Sequence, residues 1–169
     1  NNLNINKLKE LGKNSLFLAK KREKSIPLKL KKSKELAELI GIILGDGEIR
    51  KDGSVRISFD PKKDKDFLYR KVFPLIKRNS KNKISFESEK RICFWNMAFV
   101  KYLKNDCNLN PGSKFENNWS IPKWCFQKKE YLTAVLRGLF DTDGYFAYHS
   151  RSVDLMFGRF SEKSTNLLP

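Results

Sequence analysis

Ala37-Glu38-Leu39-Ile40-Gly41-Ile42-Ile43-Leu44-Gly45-Asp46-Gly47 has a counterpart later in the same chain, Ala134-Val135-Leu136-Arg137-Gly138-Leu139-Phe140-Asp141-Thr142-Asp143-Gly144. Each stretch is an apolar, helix-like run that ends in Asp-Gly. Ala37, Gly41 and Gly45 recur every fourth residue and so share one helix face, as do Ala134, Gly138 and Thr142. Glycine inside a helix costs roughly 1 kcal/mol relative to alanine. Close approach of two helix backbones along the small faces offsets that cost. Leu39, Ile42, Ile43, Leu136, Leu139 and Phe140 fill the other faces. A single copy reads more simply as a packing stripe followed by a turn signal; two copies in register favour a paired function.

Gly47 and Gly144 are expected in the left-handed conformation just past a helix end. Asp46 and Asp143 then occupy the last turn, where the helix dipole disfavours a carboxylate. Two such carboxylates brought together repel unless a cation lies between them. Magnesium, which takes a few carboxylates together with substrate phosphate oxygens, meets that need.

The two stretches resemble the paired motifs of the LAGLIDADG homing endonucleases. Leu39 to Gly47 and Leu136 to Gly144 fill the nine motif positions, with Asp46 and Asp143 at the metal-binding eighth. The sixth, usually aspartate, is Leu44 in the first copy and Asp141 in the second; Ile40 and Arg137 also depart from the pattern. The resemblance implies an α+β fold: an αββαββα half with a saddle-shaped antiparallel sheet, repeated, and the motif helices packed at the centre. It implies site-specific cleavage of both strands of a long, pseudo-palindromic DNA duplex. The expected cofactor is Mg2+, with Mn2+ or Ca2+ able to replace it in binding, near the backbone carbonyls of Gly45 and Thr142.

The repeat extends further. Ile57-Ser58-Phe59-Asp60-Pro61-Lys62-Lys63 lines up with Phe157-Gly158-Arg159-Phe160-Ser161-Glu162-Lys163 at a slightly larger offset. Lys63 and Lys163 are therefore candidate catalytic cations. Arg50, Arg56, Ser58, Lys62, Lys83, Ser85, Lys90 and Arg91, on or beside two expected hairpins, are candidates for DNA contact, since a two-stranded ribbon fits the major groove.

The 169 residues carry a net charge of +16, which points to a polyanionic partner. No run approaches the roughly 18 apolar residues of a spanning helix, and no signal-peptide pattern is present, so an intracellular site and no membrane partner are expected. One histidine, His149, argues against nucleases that need several histidines and against Ser-His or Cys-His triads. Cys93, Cys107 and Cys125 form no zinc pattern and read as reduced thiols.

Three segments are expected: a basic extension over 1–34, a first half over 35–130 and the start of a second over 131–169. The last is too short to repeat the first, so a missing C-terminal segment or a second chain would complete it. Within the first half, the patterning predicts hairpins turning at Lys51-Asp52-Gly53 and Ser88-Glu89-Lys90, with helices over about 64–76 and 97–105. Two competing functions share the fold, an intron RNA maturase and a DNA-binding regulator. Loss of the acidic pair would mark either one, and both acids are present. An Asp46 with Asp60-Pro61-Lys62 nuclease signature is a further, weaker match.

Overall fold

The computed structural model describes residues 30–80, 83–149 and 152–157. Most of the basic extension, together with Lys163 and the rest of the repeat beyond Phe157, lies outside them. The fold is α+β.

Helix α1 (Lys34–Asp46) starts at Ser33, whose hydroxyl accepts from the Leu36 N–H at 3.1 Å. It runs directly into β1 (Gly47–Ile49), which pairs with β2 (Ser54–Ser58). Gly53, at φ +86°, makes the turn, and Asp52 caps the Ser54 N–H at 2.9 Å. A helical segment follows: α2 (Lys65–Phe67), a π-helical turn (Leu68–Val72) and α3 (Phe73–Ser80). The continuous helix expected over 64–76 is thus interrupted and extended. Pro74 lacks an N–H for the preceding turn, and Phe73 N–H bonds back to Leu68 instead.

The second hairpin, β3 (Ile84–Ser88) and β4 (Arg91–Trp95), completes an antiparallel sheet in the order β1-β2-β4-β3. Helix α4 (Met97–Cys107), capped by Asn96, leads through a long loop and a 3-10 turn (Lys123–Gln127) to α5 (Lys129–Asp143). Helix α5 enters β5 (Gly144–His149), which pairs with β6 (Ser152–Phe157).

One face of the sheet buries Ile49, Val55, Ile57, Ile92 and Phe94 in the core that it shares with α1, and Phe94 meets Phe99 of α4. The opposite face carries Glu48, Arg56, Ser58, Ser85, Arg91 and Trp95, as strand alternation requires. All three cysteines are free and buried. Burial pushes the Cys107 and Cys125 thiols up to about 11 and about 12. Among the described residues, no helix is long and apolar enough to cross a membrane.

Candidate metal centre at the crossing of two helices

Helices α1 and α5 pack directly on one another, and the contact depends on glycine. A Cβ on Gly41 would lie 2.9 Å from the Leu139 nitrogen and closer still to the Val135 carbonyl oxygen. A Cβ on Gly138 would lie 3.0 Å from the Ile42 nitrogen and press into the Glu38 carbonyl. At the far end of the crossing, a Cβ on Gly45 would lie 2.7 Å from Thr142 Cβ and 3.5 Å from Asp143 Oδ2. Ala37 and Ala134 are fully buried. Gly41 and Gly138 therefore lie where the backbones approach, while Gly45 packs on the Thr142 side chain.

Gly47 and Gly144 are not left-handed. Their φ/ψ values are −86°/156° and −86°/150°, ordinary extended backbone. The helix passes straight into a strand, so no αL residue is needed. Glycine is required for space: a Cβ at Gly47 would lie 2.8 Å from Ile43 Cγ2, and one at Gly144 would enter the Phe140 ring.

This geometry brings Asp46 and Asp143 into electrostatic contact. The Asp46 pKa is raised to about 6, first by burial, then by the charge of Asp143, with Lys114 acting in the opposite direction. A third and smaller charge is Asp64, across a cleft of about 60 Å³ lined by Asp46, Ser58, Phe59, Asp64, Asp141 and Thr142, among others.

Lys114, which no motif or spacing singles out among so many lysines, is a cation at this site. Its Nζ donates to the Leu44 carbonyl at 2.9 Å and to the Gly45 carbonyl. Those are last-turn carbonyls of α1, left without helical partners. Burial lowers the Lys114 pKa, and Asp143 and Asp46 oppose that. The loop that delivers it is fixed at several points. Asn108, at φ 57°, ends α4; Gly112 N–H bonds the Ile49 carbonyl at 3.1 Å; Trp119 Nε1 bonds the Asn110 carbonyl at 2.8 Å. Lys114 Nζ also lies 5.7 Å from the Trp119 ring centre.

The other candidates are spread more widely. Lys62 and Lys63 are exposed on the turn after β2, where the Asp60 carboxylate accepts from both their backbone N–H groups. Arg50 closes the first hairpin through its backbone. Lys83 and Lys90 are exposed, and Ser85 Oγ bonds the Cys93 carbonyl at 3.3 Å. Arg56 is engaged by Glu48 and Glu87, and Arg91 by Glu87. The expected Gly45 carbonyl already receives Lys114.

No cluster of three or more His, Cys, Asp and Glu side chains exists among the described residues. Two crowded carboxylates, one of them with a raised pKa, would gain from a shared divalent cation. Magnesium, which keeps several waters and binds through one or two carboxylates and substrate phosphates, fits that arrangement; a zinc cage does not.

No family model matches the chain. It is 30% identical over 128 residues to the replication factor C small subunit of Methanocaldococcus jannaschii, an alignment that covers 66% of the chain and 7% of that protein. It is 28% identical over 109 residues to reverse gyrase of Thermococcus kodakarensis, covering 64% of the chain and 6% of that protein. The chain thus spans less than a tenth of the length of either relative it matches.

Proposed function

We propose that this chain is a divalent-metal-dependent DNA endonuclease of the LAGLIDADG homing type. The observation that carries the reading is the meeting of Asp46 and Asp143 at the ends of two helices whose crossing only glycine permits. A packing stripe alone has no use for two crowded carboxylates. In a chain of net charge +16, a phosphate-bearing substrate accounts for both.

In this reading the two motif helices, each leading into a hairpin, are the starts of two related halves. The four-stranded sheet is the saddle of the first. Asp46 and Asp143 would hold a divalent metal between the halves, which when bound would neutralise charge developing on the phosphate and favour deprotonation of water. Lys114 Nζ, anchored on the Leu44 and Gly45 carbonyls, adds a fixed positive charge for the scissile phosphate. The open face of the sheet lies along the duplex.

The two relatives bear different names, and the matching segment fills only a small part of each. A segment common to both is best read as a separable module, with an activity distinct from either name.

The test is cleavage of supercoiled plasmids carrying a randomised insert library by the full chain, with magnesium or with EDTA. Linear product that requires magnesium and enriches one insert sequence is expected. Absence of any metal-dependent cleavage would overturn the reading.

A further inference from the structure

The loop that carries Lys114 begins and ends on a buried cysteine. Cys107 closes α4, and Cys125 sits in the 3-10 turn, where its N–H donates to the Pro122 carbonyl at 2.8 Å. Seventeen residues, 108–124, lie between them. Both thiols belong to the core, at 2% and 0% exposure. With them are two buried polar groups that make no conventional hydrogen bond, the Tyr102 hydroxyl and the Trp124 indole N–H.

Those two groups bring the sulfurs into one cluster. The Trp124 N–H and the Tyr102 hydroxyl both bear on the Cys107 sulfur, and Cys125 follows Trp124 in the chain. The Tyr102 hydroxyl feels Cys125 as well as Cys107, and Cys107 acts electrostatically on Cys125. The Lys32 ammonium reaches both thiols. Cys93 is elsewhere, opposite Arg56 in the sheet. Between α4 and the 3-10 turn the loop has no helix or strand, yet it keeps Lys114 Nζ on the Leu44 and Gly45 carbonyls. Joining its two ends removes chain entropy from the open loop.

We propose that Cys107 and Cys125 are a reversible cross-link site, joined by exchange with a small-molecule disulfide such as oxidised glutathione, and that the bond closes the Lys114 loop at its base. The Cys107 thiolate attacks one sulfur of the oxidant, forming a mixed disulfide and releasing one thiolate. The Cys125 thiolate then attacks the Cys107 sulfur and releases the second. Two protein thiols are oxidised, one disulfide is reduced to two thiols, and the two protein protons pass to the released thiolates. Cys107 attacks first because Trp124, Tyr102 and Lys32 all favour its thiolate, whereas Lys32 is the group that favours that of Cys125. Burial disfavours both thiolates, so the exchange waits on opening of the loop. The inference does not depend on the endonuclease reading.

The experiment incubates the full chain with oxidised glutathione in native buffer and in sub-denaturing urea, quenches with acid, counts free thiols in denaturant and maps linked peptides by mass spectrometry. Cys107→Ala and Cys125→Ala are treated in the same way. The wild-type chain should fall from three free thiols to one, with Cys107 bonded to Cys125, Cys93 free and no glutathione retained. Its Tm should rise by about 5–10 °C, and reductant should reverse the rise. Amide hydrogen exchange over 108–122 should slow in the linked form. Cys125→Ala should retain one glutathione on Cys107, Cys107→Ala should retain none, and neither should gain in Tm. Three free thiols under both conditions, or a linked pair that includes Cys93, would overturn the site. A Cys107–Cys125 bond that changes neither Tm nor exchange in the loop would overturn the closure. No arm of the test uses DNA, so failure here leaves the endonuclease reading standing, and failure to cleave leaves this site standing.

Discussion

The two motif helices carry parallel sequences but live in different surroundings. In α1 every residue from Leu36 to Gly45 is buried, because the helix lies between the sheet and α5. In α5 the buried residues are Tyr131, Ala134, Val135, Gly138 and Leu139, one stripe at helical spacing. The sixth motif position shows the same contrast: Leu44 is buried, while Asp141 is exposed. The motif fixes where the backbones meet, and each environment decides the remaining positions.

Glu38 is the exception in α1. Its side chain is only 7% exposed, yet it meets Lys71 at 2.6 Å and the Arg137 Nε at 2.9 Å. By motif position Glu38 matches Val135, and Arg137 matches Ile40. One side of the crossing is thus a salt bridge and the other apolar. Such asymmetry favours pairing of unlike helices, because two copies of α1 would set Glu38 against isoleucine.

The largest effect is expected from closing the crossing. Gly138→Leu should cost more than about 3 kcal/mol in chemical denaturation, since the added atoms meet backbone that cannot move aside. Wild-type stability would break the account of the crossing.

Glu38→Ala should come next, at about 2 kcal/mol. It strands Lys71 and Arg137, but Arg137 is half-exposed and recovers some hydration. The double variant Glu38→Val with Arg137→Ile, which copies the opposite side of the crossing, should recover part of that loss and form dimers in sedimentation. A double variant that stays monomeric would remove the pairing argument.

The smallest effect has the opposite sign. Asp46 holds its proton more tightly in the folded state, so its ionisation destabilises the metal-free fold as pH rises from about 4 through about 6. Asp46→Asn should therefore stabilise the protein in EDTA at pH 7, by about 1 kcal/mol after allowance for solvent screening. The gain should vanish near pH 4. A loss of stability at pH 7 would show that the carboxylate is compensated without metal.

Much of this was legible in the chain. Small residues every fourth position, followed by Asp-Gly, give the helices, their contact face and the acids at their ends. Asp52-Gly53 gives the first hairpin turn. Three features were not legible. The reason for Gly47 and Gly144 depends on whether the chain turns or runs straight after the helix, which the Asp-Gly pair does not reveal. The Glu87 contact to Arg56 depends on the pairing of β2 with β4, a register set between hairpins. Lys114 reaches α1 only because a long loop is pinned by Gly112, Asn110 and Trp119, and no local spacing encodes that reach.

The central claim is that Asp46 and Asp143 serve one shared site. Its most direct test is plasmid cleavage by Asp46→Asn and Asp143→Asn, each resolved into nicked and linear products, with gel shifts to follow DNA binding. Each variant should lose both nicking and linearisation in magnesium while still binding DNA. Undiminished linearisation by either variant, or one strand still cut at the wild-type rate, would contradict a shared site.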